Sequence, residues 1–280
     1  MKNILVPIDF SQRSKEAFAL ALAIAGKTKG SITMLHVIYL PVVYDTGFGG
    51  DAMSYNPVLL DQMQRDATKE LEKMKGDANS PIDIKIEIEF GDIVNGIRNN
   101  IEKYSSDLVV MGSSGMTGIP SFIVGSVTEK IVRHATVPVL VVRESFALTN
   151  VKNILLPSTL TLDQNDFIKE VKKIQEFFGA MLHILLINTP GKFMRDDEAR
   201  ESFREFTKHY SLSNFKTYFK NYRNEEEGVL DFAHAEKMDL IAMGTHARKG
   251  LSHLFNGSIT EDLVNKIVAP IWTYHLKKEE

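Results

Sequence analysis

The sequence predicts an α/β protein built as two tandem doubly wound domains, each a parallel sheet flanked by helices. Three observations lead there. The chain has 280 residues, and at about 150 residues per domain that is room for two cores. An internal repeat divides it: Lys2-Asn3-Ile4-Leu5-Val6-Pro7 recurs as Lys152-Asn153-Ile154-Leu155-Leu156-Pro157, and Asp107-Leu108-Val109-Val110-Met111-Gly112 recurs as Asp239-Leu240-Ile241-Ala242-Met243-Gly244. Within each copy, short apolar runs alternate with segments of helical periodicity, the signature of a parallel sheet covered on both faces.

In chain order, the first half reads as strands over 3–8, 31–38, 82–90, 108–111 and 139–142, five short apolar or alternating runs. Between them, 14–27 carries Phe18, Ala21, Leu22 and Ala25 at helical spacing, and 59–75, 93–104 and 126–134 also read as helices. Each crossover is expected to be right-handed. The repeat offset falls from 150 to 132 residues between its two blocks, so the second copy is shorter by 18. That difference is assigned to 41–60, a stretch with four glycines or prolines before Asn56 and no periodicity, read as a long excursion after the second strand. A linker over 145–151 sets domains at 1–146 and 147–280.

Composition narrows the class. With 44% hydrophobic and 25% charged residues the chain reads as an ordinary folded domain protein, not a fibrous or disordered one. A net charge of −3 argues against a dedicated nucleic-acid binder. The absence of cysteine excludes disulfides, thiol catalysis and thiolate metal sites. The opening MKNILVPIDF is too soon interrupted by Pro7 and Asp9 to read as a signal peptide, and no run reaches the ~20 apolar residues of a membrane span. A cytoplasmic location is the expectation.

The chemistry concentrates after the fourth strand, in Gly112-Ser113-Ser114-Gly115 and, nine residues on, Gly125-Ser126. A strand ending in glycine, a loop, and a helix opening with Gly-Ser present backbone N–H groups and a helix N-terminus to an anion, for which phosphate is the natural candidate. The first strand ends in Val6-Pro7-Ile8-Asp9-Phe10-Ser11. Ligands of doubly wound sheets sit beyond the carboxyl strand ends where strand order reverses, so neighbouring first and fourth strands would set Asp9 across a crevice from Gly112. Asp9 there can accept from ribose hydroxyls, hold a divalent cation, or simply serve with Ser11 as a helix cap.

Both halves resemble the universal stress protein family, on the strength of Val6-Pro7-Ile8-Asp9, the G-x2-G-x9-G-S loop and the closing Val137-Pro138-Val139-Leu140-Val141-Val142, with the set recurring in the second half. The resemblance implies a five-stranded parallel sheet of order 3-2-1-4-5 in each domain and an ATP site in the first. It implies that Pro7, Ile8, Asp9 and Val37 flank adenine and ribose, and that Met111, Gly112, Ser113, Gly115, Met116, Gly125, Ser126 and Val127 surround the phosphates. It also implies that the last strands of the two halves, 139–142 and 271–274, pair across a pseudo-twofold axis as an internal dimer, with a further homodimer left open.

The second half departs from this pattern. Ala247 replaces the second glycine, and Thr159 stands where Asp9 does in the first half. Pro157, Thr159, Gly244, Thr245, Gly257 and Ser258 therefore form a degenerate second site. His246 and His253 read as solvated loop residues, since a stable metal site needs three or four convergent ligands. Gly26-Lys27-Thr28 matches a permissive Walker pattern but sits at the end of a helix, so Gly26 and Gly30 read as helix termination. His36 reads as a half-buried, hydrogen-bonded histidine, and Phe203, Phe206 and Tyr210 as core.

Phosphoryl transfer needs positive charge at the transition state, and no Lys, Arg or His lies between Gly112 and Thr128. The expectation is a regulatory protein that binds ATP, or ADP or AMP, with Mg or Mn at Asp9, and hydrolyses it little or not at all. Two readings compete with it: a weak magnesium-dependent ATPase or nucleotidyl transferase, and a scaffold that binds a lipid or a protein.

Overall fold

The structure is a computed structural model, in which residues 1–40, 56–113, 126–142, 148, 151–245 and 269–275 are described. The first half runs β1 (Asn3–Pro7), α1 (Gln12–Thr28), β2 (Ser31–Tyr39), α2 (Pro57–Ala78), β3 (Ile84–Gly91), α3 (Ile93–Lys103), β4 (Leu108–Gly112), α4 (Ser126–His134) and β5 (Val139–Val142). The second runs β6 (Asn153–Pro157), α5 (Asn165–Phe178), β7 (Met181–Asn188), α6 (Asp196–His209), β8 (Phe215–Asn221), α7 (Glu225–Ala235), β9 (Leu240–Thr245) and β10 (Ile271–His275). The strands form one sheet in the order β3-β2-β1-β4-β5-β10-β9-β6-β7-β8. Each half thus has the 3-2-1-4-5 order, and strand order reverses between β1 and β4 and again between β6 and β9.

Strand alternation sorts the side chains to two faces. Ile4, Val6 and Ile8 join Ile154 and Leu156 in a core that runs across both halves beneath α1 and α5. Leu5, Leu35, Val109 and Met111 face the other way, against Ile97 and Ile101 of α3 and Ile131 of α4. Leu155, Leu185 and Ile241 do the same against Val229 and Phe232 of α7. Phe203, Phe206 and Tyr210 are buried, as their spacing predicts.

The recurrence of aspartate before β4 and β9 has a physical cause. The Asp107 carboxylate accepts from the backbone N–H groups of Lys2 and Asn3 at 2.7 to 3.2 Å, and Asp239 accepts from those of Lys152 and Asn153 at 2.9 Å. Each aspartate satisfies the free donors where the central strand of its half begins.

The halves meet where β5 and β10 pair antiparallel, Leu140 opposite Trp272. These two residues are counterparts in the repeat, as their offset of 132 residues shows, so the pseudo-twofold axis passes between them. Trp272, the sole tryptophan of the chain, is 2% exposed and stacks against Phe167 with ring centroids 6.2 Å apart. Counterparts meet again at the ends of α1 and α5, where Lys27 Nζ donates to the Phe177 carbonyl at 2.5 Å and lies 4.4 Å from that ring's centroid.

Two expectations need correction. Helix α1 is closed by Lys29, in the left-handed region at φ 53°, and not by Gly26, which lies inside the helix; Gly30 takes part in the termination, its N–H donating to the Ala25 carbonyl at 2.9 Å. Gly30 is required for another reason: a Cβ there would stand 2.4 Å from the Lys2 carbonyl oxygen. Helix α2 begins at Pro57, capped by the Asn56 side chain, so 57–60 belongs to a helix and not to the excursion, while 41–55 lies outside the described residues. Of the linker over 145–151, only Leu148 and Val151 are described.

Two consequences can be measured. Truncating Trp272 to Ala should cost about 3–5 kcal/mol, the range for a buried large aromatic. Denaturant unfolding followed by circular dichroism should therefore show an earlier transition; an unchanged midpoint would show that the joint contributes little. His183 is buried between Tyr218, whose hydroxyl lies 3.0 Å from Nδ1, and Asn153, whose Oδ1 lies 3.0 Å from Nε2. Burial, aided by the positive charge of Lys216, lowers its pKa below the usual 6.5. The folded state binds this proton less tightly than the unfolded chain, so the contribution is complete above about pH 6.5 and is lost as pH falls through the folded value. The melting temperature should drop between pH 7.5 and 5.5 in the wild type, and by a smaller amount in His183→Gln.

Candidate functional site

The site is built from the carboxyl ends of β1, β2 and β4. β1 and β4 pair in parallel, Leu5 opposite Val109, and α1 and α4 start near those ends. Beyond β1, the Ile8 N–H donates to the Leu35 carbonyl at 2.7 Å and prolongs the contact with β2. The chain then turns at Phe10, which holds φ 64°, a region that costs a residue with a Cβ about 1–2 kcal/mol. Two contacts secure that turn. Asp9 Oδ1 accepts from the Ser11 N–H at 3.0 Å, and the Phe10 ring packs 4.6 Å from His36. His36 Nδ1 in turn lies 2.7 Å from the Ile8 carbonyl, which can only accept, so Nδ1 carries the proton.

Ser11 is the N-cap of α1, accepting from the Ser14 N–H at 3.2 Å. Capping and ligand binding are therefore not rival uses of Asp9: Ser11 caps, Asp9 braces the turn, and Asp9 remains exposed. Val37, on β2, is half-buried and held from behind by α3. A Cβ on Gly96 would lie 2.9 Å from Val37 Cγ2, so glycine is what lets α3 close on the carboxyl end of β2.

At the β4 end, Met111 and Ser113 are buried and Gly112 is half-buried. The Thr128 hydroxyl donates to the Gly112 carbonyl at 3.0 Å and ties the first turn of α4 to the strand end, so the opening N–H groups of α4, at Ser126 and Val127, lie beside it. Gly112 is tight for a reason that spacing alone does not reveal. A Cβ there would stand 2.8 Å from Arg13 Cβ and 3.0 Å from the Arg13 carbonyl carbon, so this glycine makes room for α1. Gly115, Met116 and Gly125 lie outside the described residues, and Ser126 is described for its backbone alone.

Arg13 is a neighbour of this strand end that the sequence does not disclose. From the first turn of α1 its guanidinium reaches Ser113 Oγ at 3.4 Å, which sets a cation at the end of the strand where the loop supplies none. Nothing in the linear order signals this, since 100 residues separate the two. Gly96 is within reach of the sequence: it recurs as Gly228 at the same offset of 132 as the aspartates, and Gly228 likewise abuts Ile187, the counterpart of Val37, where a Cβ would meet the Ile187 side chain at 2.6 Å.

The second half repeats this frame with other side chains. The Ser158 N–H donates to the Leu185 carbonyl at 2.9 Å, Leu160 takes φ 60°, and Ser158 Oγ accepts from the Leu160 N–H at 3.0 Å. A shallow cleft opens there between Pro157, Thr159, Leu185, Ile187, Glu225 and Val229. The Glu225 carboxylate in it is paired with Lys192 at 2.8 Å. Gly244 and Thr245 are buried, and Thr245 Oγ1 lies 3.4 Å from the carbonyls of Val132 and Tyr274, at the joint between the halves. Gly257, Ser258, His246 and His253 lie outside the described residues. Among the described residues no three His, Asp or Glu side chains converge as a metal site would require, and no helix is long and apolar enough to cross a membrane.

Comparison with known proteins agrees with this architecture. A Staphylococcus aureus (strain USA300) protein carried under the universal stress protein name is 33% identical over 148 residues, 51% of this chain and 84% of that protein. A solved universal stress protein of Archaeoglobus fulgidus DSM 4304 superposes with a TM-score of 0.73 at 20% identity, covering 99% of this chain and 97% of its own. A Pseudomonas aeruginosa PAO1 protein described as functionally unknown superposes with a TM-score of 0.68 at 18% identity, covering 98% of this chain and 92% of its own. At such identities these two structures bear on the fold alone. The family model of the universal stress proteins matches twice, over residues 1–143 and 152–275, and the chain belongs to the universal stress protein family.

Proposed function

We propose that this protein is a regulatory adenine-nucleotide binder that holds ATP, or ADP or AMP, in its first half and hydrolyses it little. The observation that carries the reading is the β1–β4 switch point, where the braced Asp9 turn and the Gly112–Ser113 strand end flank one crevice with the first turn of α4 beside it. Pro7, Ile8, Asp9 and Val37 would hold the nucleoside. Gly112, Ser113 and Val127 would hold the phosphates together with Gly115, Gly125 and Ser126 of the loop. The close fit of Gly96 against Val37 fixes the Val37 side chain on the sheet, where the nucleoside would rest against it.

A magnesium or manganese ion fits this donor set in a limited way. One Asp9 oxygen already accepts from Ser11, so the protein would contribute one carboxylate oxygen and the phosphates and water the rest, the usual arrangement for magnesium on a nucleotide. The ion would neutralise phosphate charge. Arg13 lends some support to the competing reading of slow hydrolysis, because it brings a cation to the strand end. Among the described residues no second group stands ready there to orient a water.

In the second half, Thr159 in place of Asp9 and the Glu225–Lys192 pair at the cleft make a poorer frame for a phosphorylated ligand.

Mass spectrometry of the small molecules released on denaturing freshly purified protein should find adenine nucleotide near one equivalent per chain. Two equivalents would show that Thr159 and Ala247 leave the second half competent, and a bound lipid would favour the scaffold. Gly96→Ala should force Val37 aside and weaken ATP binding about tenfold, roughly 1.4 kcal/mol, and adding Val37→Ala should recover part of the loss. Calorimetric titration showing full affinity in Gly96→Ala would place the nucleoside elsewhere.

A further inference from the structure

We infer that Thr245, a residue of the second half, positions the phosphate end of the first site by holding the far end of α4; this rests on the nucleotide reading above. Helix α4 is short. Its nine residues span about 14 Å at 1.5 Å per residue, so a constraint at one end is felt at the other. At its first turn the Thr128 hydroxyl donates to the Gly112 carbonyl at 3.0 Å. Near its other end stands Val132, in the part of a helix whose carbonyls lack partners within it. Thr245 Oγ1 lies 3.4 Å from that Val132 carbonyl, across 113 residues of chain. Thr128, Val132 and Thr245 are all buried.

The strand order brings these groups together. Thr245 ends β9, β9 neighbours β10, and β10 pairs with β5 across the joint. α4 packs against β10 as well as against β5 and α3, so it rests on strands of both halves. The second half therefore builds part of the seat of α4, and the Thr245 hydroxyl meets the helix at its end. A hydroxyl carries one proton, and Thr245 Oγ1 also lies 3.4 Å from the Tyr274 carbonyl and 3.5 Å from His275 Nδ1. The contact with Val132 is one of a shared set, so its effect on affinity is moderate. The nucleoside end is built differently. Pro7, Ile8, Asp9 and Val37 belong to β1, β2 and the turn before α1, all elements of the first half. Loss of the Thr245 contact is thus felt in phosphate binding and spared in nucleoside binding. Thr273 supplies a control: it is buried, and its hydroxyl crosses the same joint to the Val139 carbonyl at 3.3 Å, but it reaches β5 and not α4.

Calorimetric titration of the full chain with ATP and with adenosine tests this in the wild type, Thr245→Val, Thr245→Ser and Thr273→Val. Valine keeps the shape of threonine and removes the hydroxyl. We expect Thr245→Val to weaken ATP binding about threefold to tenfold, the range for one hydrogen bond of ordinary net strength, with adenosine affinity unchanged. Thr245→Ser should restore most of the ATP affinity, and Thr273→Val should leave both ligands unaffected even where it lowers the melting temperature. Unchanged ATP affinity in Thr245→Val would overturn the inference. So would equal losses for ATP and adenosine, or an equal loss of ATP affinity in Thr273→Val, since either means that the joint acts on the first half as a whole. Where adenosine binds too weakly to titrate, the contrast between positions 245 and 273 decides alone. Should Thr245→Val melt too early to titrate, hydrogen exchange of the wild type decides. By linkage, a contact that holds α4 for the phosphates is itself strengthened when they are bound, so ATP and not adenosine should slow exchange at the end of β9; exchange there that ignores ATP would overturn the inference. A wild type that binds neither ligand removes the nucleotide reading itself, and the inference with it; ATP binding that ignores residue 245 removes the inference alone.

Discussion

A sheet edge presents a row of unpaired N–H and C=O groups, and each five-stranded half of this chain would leave its last strand as such an edge. The two halves cover these edges with each other. β5 and β10 pair antiparallel around Leu140 and Trp272, and that contact decides much else. It makes the ten strands one sheet, joins the core beneath α1 and α5 into one body, and sets the two strand-order reversals on opposite sides of a pseudo-twofold axis. Open edge strands invite pairing with other chains, and here the tandem arrangement confines the open edges to β3 and β8. β8 carries Lys216 and Lys220 at exposed positions, the kind of charge that discourages further pairing.

The repeat also shows which parts of the design serve the fold and which serve the site. What recurs in both halves is structural: the aspartate at the start of the central strand, the left-handed residue after it, and the helix glycine that packs on the second strand. The left-handed turn illustrates how one backbone need is met by different chemistry. Asp9 braces Phe10 through the Ser11 N–H, and Ser158 braces Leu160 directly. What differs between halves is charge and hydroxyl placement at the strand ends. Arg13 and Asp9 have Asp163 and Thr159 as counterparts, and Thr245 turns toward the joint where Ser113 holds Arg13.

Positive φ is a usual reason for glycine in a phosphate-binding loop, and neither Gly96 nor Gly112 takes it. Gly112 is needed because α1 arrives there, and Gly96 because α3 rests on Val37. Both are close-packing glycines, and both act indirectly, by deciding how near a helix may come to the end of a strand at the switch point.

By itself the sequence determined the elements, their alternation, the repeat and the identity of the residues at the strand ends, because these depend on local periodicity and on composition at short range. The span of α4 and the burial of Phe203 and Phe206 are legible in this way. Element ends were less so: Pro57 joined α2 because Asn56 caps it, and Lys29 closed α1 in the left-handed region with the Gly30 N–H donating to Ala25 behind it. The tertiary structure alone decided the contacts between distant segments. That Arg13 meets Ser113, that Lys27 meets Phe177, and that Thr245 faces Val132 follows from which strands are neighbours and how closely helices pack on them. Pairing and packing are set by the burial of whole faces, a global property that no local pattern of residues encodes.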